Sequence, residues 1–133
     1  MSSSDGLQKA LLCTRAALDK KAIDLAVVDV GELSSIGDYL LICTGRSDRQ
    51  VQSIAQAIEE ELKANGIRAL SIEGLRRGQW VLMDYGDVIV HIFYQPVREF
   101  YDLERLWAHA PRVQLPEPLR SQALGFRTGT AGL

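Results

Sequence analysis

Asp84 and His91 are ionisable residues in the otherwise mostly apolar stretch QWVLMDYGDVIVHIF, which follows Arg76-Arg77-Gly78. A carboxylate near an imidazole can orient the ring for general-base catalysis, and both groups can also form charge-assisted hydrogen bonds to a partner. Catalysis would need a nucleophile as a third group, and the chain has no G-x-S-x-G elbow. The residues therefore favour a polar pair on a surface over a catalytic dyad.

The same stretch predicts a β-hairpin with two different faces. Gly86-Asp87 lies between runs rich in Val, Ile, Tyr and Trp, and suits a two-residue type II′ turn. Since successive strand residues point to opposite faces, one face is apolar and should be core. Its predicted pairs are Tyr85 with Val88, Met83 with Val90, and Val81 with Ile92. The other face, called the mixed face below, carries Trp80, Leu82, Asp84, Ile89, His91 and Phe93.

Other residue types that carry chemistry give weak signals. Cys13 and Cys43 are typical of reduced thiols in a cytosolic protein, and Cys43 lies in an apolar run that predicts burial. The histidines are His91 and His109, and no Cys/His spacing resembles a zinc site. The sequence therefore predicts no metal, no cofactor and no catalytic residue.

The turn Thr44–Ser47 is a candidate anion site, because it leads from a predicted strand into a helix N-terminus. It lacks the G-x-x-x-x-G-K of a Walker loop and the G-x-G-x-x-G of a dinucleotide site. Ser47-Asp48-Arg49-Gln50 also fits a capping box, which explains the serine by helix capping alone. A nucleotidyltransferase-like, nucleotide-binding enzyme that uses this turn is the alternative hypothesis.

Composition limits the partners and the compartment. The 133 residues include 15 basic and 17 acidic side chains, so no basic surplus points to nucleic acid, although Arg76-Arg77 is a local basic patch. No apolar run is long enough to span a bilayer, and the N-terminus lacks the basic flank of a secretory signal. We expect a cytoplasmic protein with one domain over residues 1–110 and an extended or mobile tail over 111–133, which contains Pro and Gly.

Hydrophobic periodicity predicts the element order αββαβββα. Helices are expected over 5–19, from the Ser47 cap to the Asn65-Gly66 stop, and from Pro96 through VREFYDLERLW. Strands are expected over 24–30, 39–45, 67–74 and the two arms of the hairpin, with 39–45 central because it is apolar on both faces. The order predicts an α+β fold with a mixed five-stranded sheet packed with helices.

Three segments together resemble the ribosomal silencing factor family, RsfS or Iojap-like, over residues ~5–108. They are IDLAVVDVGELSSIGDYLLICTGRSDRQV, IEGLRRGQWVLMDYGDVIVHIF and VREFYDLERLW. The family pattern W-V-L-x-D-x-G-D-V-V-V-H-x-F maps onto the stretch from Trp80 to Phe93, with Ile89 at one Val position. The pattern R-E-F-Y-x-L-E-x-L-W maps onto the stretch from Arg98 to Trp107 without departure.

This resemblance implies a fold similar to the nucleotidyltransferase core, without its catalytic acids. Nucleotidyltransferases place a Gly-Ser turn before a D-x-D metal pair, whereas here the turn is Gly45-Arg46-Ser47 and the acid pair is missing, so nothing holds a two-metal centre. The resemblance also implies binding to the large ribosomal subunit, at the subunit-interface protein numbered fourteen. Occupation of that surface would block joining with the small subunit and repress translation under nutrient limitation.

We therefore expect the mixed face and its surroundings to bind a ribosomal protein. The expected partner-binding residues are Arg76, Arg77, Trp80, Leu82, Asp84, His91 and Tyr101. Apolar members would supply buried area, while Asp84 and His91 would supply charge-assisted hydrogen bonds. The same open face could pair two copies, so a homodimer is a further expectation. Sequence-specific nucleic acid and membranes are not expected partners.

Overall fold

The computed structural model describes residues 2–31, 37–102, 105 and 108–125, with the side chains of residues 2–4 outside the description. Its elements are α1 (Ser2–Asp19), β1 (Ile23–Asp29), β2 (Tyr39–Gly45), α2 (Asp48–Ala64), β3 (Ser71–Glu73), β4 (Trp80–Asp84), β5 (Val88–Tyr94), α3 (Gln95–Tyr101) and α4 (Leu119–Gly125). The predicted order αββαβββα is confirmed, and α4 follows it.

The strands form one mixed sheet in the order β1-β2-β5-β4-β3, which confirms the predicted α+β fold. β2 and β5 run parallel, and the remaining neighbours are antiparallel. Every residue of β2 is buried, as its apolar sequence predicts for an interior strand. The middle strand of the five is nevertheless β5, because β2 lies between β1 and β5.

The main core lies between one face of the sheet and the helices α1 and α2. α2 contributes the stripe Val51, Ile54, Ala55, Ile58 and Leu62, all buried. The apolar face of the hairpin packs into the same cluster, as predicted. A smaller cluster on the opposite face of the sheet contains Val28, Val30, Leu40, Ile42, Phe93 and Ala110.

The hairpin has the predicted register. Val81 pairs with Ile92 and Met83 with Val90, and the amide of Tyr85 donates to the carbonyl oxygen of Val88 at 2.9 Å. The turn begins at Gly86, whose φ of +89° suits the first central position of a type II′ turn. The alternation of faces therefore holds, and the side chains of the mixed face lie where the sequence places them.

Two predicted elements are shorter in the structure. The strand expected over 67–74 is limited to Ser71–Glu73, because its first residues still follow the end of α2, with Ile67 N donating to Leu62 O. The helix that starts at Pro96 ends at Tyr101, where Asp102 adopts the left-handed conformation with φ of +50°. Residues 103–104 and 106–107 of that expected helix, including Trp107, lie outside the described residues.

The segment after Pro111 lies along the edge of the sheet. Asp29 N donates to Pro111 O at 2.8 Å and Val113 N to Val27 O at 2.8 Å, so the chain here is extended beside β1. α4 then packs against α1 and β1 and buries Leu119. The predicted boundary near residue 110 stays a prediction, and residues 126–133 lie outside the described residues.

The loop 74–79, which joins β3 to β4, is held against the first turn of α2. Gln52 Nε2 donates to the carbonyl oxygens of Leu75 at 3.0 Å and Arg76 at 2.9 Å. Gly78 has φ of +68°, and a Cβ built there would lie 2.5 Å from Asp48 O. Glycine is required at this position by both the backbone conformation and the close approach of α2.

Gly78→Ala should lower the free energy of unfolding by more than about 2 kcal/mol, because it combines left-handed strain with a backbone clash. Gly66→Ala is the matched control, since Gly66 also has positive φ, but a Cβ added there would meet no atom within 4 Å. The control should cost about 1 kcal/mol. Urea unfolding of both variants measures the difference, and equal losses would show that loop 74–79 does not press on α2.

Candidate partner-binding site

Trp80 begins β4 and lies at one end of the mixed face. The residue is 37% exposed, while Phe93, its partner across the strands, is fully buried. The Trp80 ring centroid is 5.1 Å from that of Phe93 and 6.2 Å from that of Tyr101. Its indole Nε1–H donates a hydrogen bond to His91 Nδ1 at 3.0 Å. The indole is thus fixed by contacts on its inner side, and part of it faces solvent.

Two further aromatic side chains extend this surface from α3. Tyr101 is 57% exposed and Phe100 is 80% exposed, and their rings meet edge to face with centroids 5.0 Å apart. Together with Trp80 they form what we call the aromatic surface. Exposed aromatic residues in one place are unusual on a protein that works alone, and mark sites of association.

Buried Arg98 fixes α3 to the sheet. Its Nη1 donates to the main-chain oxygen of Asp24 and to Oγ1 of Thr44, each at 2.8 Å. Arg98 is 7% exposed, and a buried guanidinium must have its N–H groups satisfied. These bonds join α3 to β1 and β2, so the position of Phe100 and Tyr101 depends on the strands below them.

His91 lies on the mixed face but is buried beneath Trp80. Burial lowers its pKa from 6.5 to about 4, because desolvation disfavours the imidazolium. The ring is therefore neutral at physiological pH, and its Nδ1 acts as a hydrogen-bond acceptor for Trp80. In the free protein His91 therefore positions Trp80 as a neutral acceptor, and the expected charged hydrogen bond from His91 to a partner stays a prediction.

Asp84 lies at the other end of the mixed face. It pairs with Ile89 in register, and its Oδ1 accepts from the amide of Gly86 at 2.8 Å. Asp84 is four residue steps from Trp80 along β4, which corresponds to about 13 Å. Asp84 therefore stabilises the hairpin turn, with half-buried Leu82 between it and Trp80.

The expected site residues thus fall into three places. The structure brings together Trp80, His91 and Tyr101, whereas Asp84 lies at the turn. Arg76 and Arg77 are exposed on loop 74–79, at the Trp80 end of the hairpin but beside the start of α2.

Sequence reasoning did not assign Phe100 to the site. Adjacent residues on an α-helix point in directions about 100° apart, so Phe100 and Tyr101 on a seven-residue helix could not both face a core. That adjacency is the signal from which an exposed aromatic residue could have been predicted.

Polar groups of the turn Thr44–Ser47 already form hydrogen bonds within the protein. Ser47 Oγ accepts from Gln50 N at 3.0 Å, and Gln50 Oε1 accepts from Arg46 N at 2.7 Å. Thr44 Oγ1 accepts from Arg98. These contacts support helix capping as the role of the turn, since they use the groups that an anion would otherwise contact.

Several other features bear on chemistry. Burial raises the pKa of both Cys13 and Cys43 to about 12, so both are thiols at neutral pH. Within the described ranges, no three His, Cys, Asp or Glu side chains are grouped as metal ligands would be. Among the described helices, none combines the length and apolar character that a membrane crossing requires.

Comparison with known proteins identifies relatives over most of the chain. A family model described as "Ribosomal silencing factor during starvation" matches residues 3–130. The ribosomal silencing factor RsfS of Bacillus subtilis is 44% identical over 110 residues, which cover 81% of this chain and 93% of that protein.

Two solved structures have the same fold. A Bacillus halodurans protein has a TM-score of 0.70 and 39% identity, and the match covers 78% of this chain and 94% of that one. A Chromobacterium violaceum protein has a TM-score of 0.75 and 33% identity, with 86% and 97% of the two chains covered.

The low pKa of His91 predicts a pH-dependent stability. The pKa falls from its ordinary value of 6.5 to about 4 in the folded protein, so the unfolded chain binds more protons as the pH falls through this range. The contribution of His91 to the free energy of unfolding is therefore complete above about pH 6.5 and declines below that pH. At pH 5 the protonation of His91 in the unfolded chain should lower the free energy of unfolding by about 2 kcal/mol, and urea unfolding measures this loss.

His91→Gln should abolish this component, since glutamine offers an uncharged acceptor and does not titrate. His109→Gln is the matched control at an exposed histidine and should keep the wild-type pH dependence. An identical decline in wild type and His91→Gln would show that the imidazole is not the group responsible.

Proposed function

The chain belongs to the ribosomal silencing factor family, and we propose that it binds the large ribosomal subunit and blocks its joining with the small subunit. The proposed contact is the large-subunit protein numbered fourteen, on the face that meets the small subunit. The outcome is negative regulation of translation, in the cytoplasm, under nutrient limitation. The proposal involves no catalysis and no cofactor.

The observation that carries this proposal is the aromatic surface. Trp and Tyr are the residues most enriched at the energetic centres of protein interfaces, since they bury a large area with few rotatable bonds. Here the Trp80 indole is held by His91 and Phe93, and α3 is held by Arg98. A surface arranged in advance loses little conformational entropy when a partner binds.

The rest of the mixed face would form the border of the contact. Leu82 is half-buried beside His91, its neighbour across the strands, and adds apolar area. Asp84 carries a carboxylate at the hairpin turn, suited to a basic ribosomal-protein surface. Its attraction should affect the rate of association more than the final affinity, because it lies away from the aromatic surface.

Silencing by this route is steric. A folded domain seated on the subunit interface occupies space that the small subunit needs, so the block requires occupancy and no chemical step. The extent of repression then follows the fraction of large subunits that carry the protein. A homodimer formed through the aromatic surface would compete with this binding, because the same side chains cannot be buried twice.

Trp80→Ala should weaken binding to purified large subunits by about 30-fold or more, the loss typical of a central aromatic residue. The measurement is co-sedimentation of the protein with separated subunits over a range of protein concentration. Circular dichroism checks that the variant is folded.

Gln56→Ala is the control, since Gln56 is exposed on α2, which packs on the face of the sheet opposite Phe93. It should bind like wild type. Retention of full affinity by a folded Trp80→Ala protein would exclude the aromatic surface as the contact.

A further inference from the structure

Six basic side chains surround the first turn of α2, although the whole chain has a formal charge of −2. They belong to three segments that are distant in the sequence, and all six are exposed. We call this surface the basic end. Its members are Lys20, Lys21, Arg46, Arg49, Arg76 and Arg77.

Two glutamines of α2 bring these segments together. Gln50 Nε2 donates to the carbonyl oxygens of Lys20 at 3.1 Å and Lys21 at 3.0 Å, and its Oε1 accepts from Arg46 N. Gln52 holds loop 74–79 through the carbonyl oxygen of Arg76. The bonds use main-chain atoms of the basic residues, so they fix the positions of the segments and leave the charges unneutralised.

Acidic side chains do not cancel this charge. Asp19, Asp48 and Glu73 are the acidic residues in or next to the three segments, so cations outnumber them six to three. Of the acidic run 59–61 further along α2, Glu60 and Glu61 line a surface pocket together with Asp19 and Lys20, so these carboxylates offset the charge of Lys20. None of the four arginines lines that pocket, and they carry the excess positive charge of the basic end. Among the described residues, the ion pairs join other partners: Lys9 with Asp87, Arg15 with Glu61, and Arg105 with Asp102.

We infer that the basic end binds the phosphodiester backbone of RNA. A nucleic acid carries a phosphate at every nucleotide, so it can contact cations on several segments at once, whereas a single small anion can contact few of them. Four of the six are arginines, whose guanidinium groups can form two parallel hydrogen bonds to one phosphate. The contact is to the backbone and so carries no preference for sequence.

The basic end is continuous with the aromatic surface. Loop 74–79 leads directly into Trp80, and Gln79 O accepts from Tyr94 N at 2.8 Å, which ties the loop to the start of α3. A partner that presents both protein and RNA would meet the two surfaces together. The identification of that RNA as ribosomal rests on the proposed function, whereas the binding to RNA does not.

The test is fluorescence anisotropy of a labelled RNA hairpin, free of protein, with wild type and two double variants. Arg76→Glu/Arg77→Glu should weaken binding at least about tenfold and reduce the slope of log affinity against log salt by about 2 between about 50 and about 200 mM KCl. Lys63→Glu/Arg68→Glu changes the net charge equally at the other end of α2, and should change affinity by less than about threefold.

Three results would overturn the inference. They are the absence of salt-dependent RNA binding by wild type, equal losses in the two double variants, and equally tight binding to vesicles that contain phosphatidylglycerol. Binding to the hairpin without binding to purified large subunits would reject the proposed function and leave this inference standing.

Discussion

A hydrogen bond from the Trp80 indole to a neutral His91 sets the arrangement of the candidate site. Nδ1 of an imidazole accepts only while it carries no proton, and burial keeps it so by lowering the His91 pKa to about 4. The bond also requires the register in which Leu82 faces His91 and Trp80 faces Phe93. A register slip of one residue would turn Trp80 to the other face of the sheet. The turn and the strand register therefore together determine whether the aromatic surface forms.

Arg98 is the second constraint, since α3 is short and has few contacts of its own. A seven-residue helix is marginal in isolation and takes its position from what it packs against. The guanidinium links it to Thr44 of β2 and to the main chain of β1. The aromatic surface therefore combines residues of β4 and α3. Both elements are positioned by contacts with the interior strands β2 and β5, which are the most buried strands of the fold.

Local patterns predicted much of this structure, and tertiary contacts decided the rest. The hairpin register and the Ser47 cap follow from neighbouring residues, and both are as expected. A neutral His91 could not be predicted from its neighbours in sequence, because it depends on burial beneath Trp80. The exposure of Phe100 and the end of α3 at Asp102 likewise depend on how the helix meets the sheet. The basic end could not be predicted from the net charge, because two glutamines bring together three segments that are distant in the sequence.

The most direct test of steric silencing is a subunit-joining assay with the wild-type protein. Purified large and small subunits are mixed at a magnesium concentration that supports joining, with increasing amounts of protein, and separated on a sucrose gradient. If silencing is steric, joined ribosomes should decline as the protein is added, and the protein should migrate with the free large subunit. Joined ribosomes that persist while the large subunit carries the protein would contradict steric silencing.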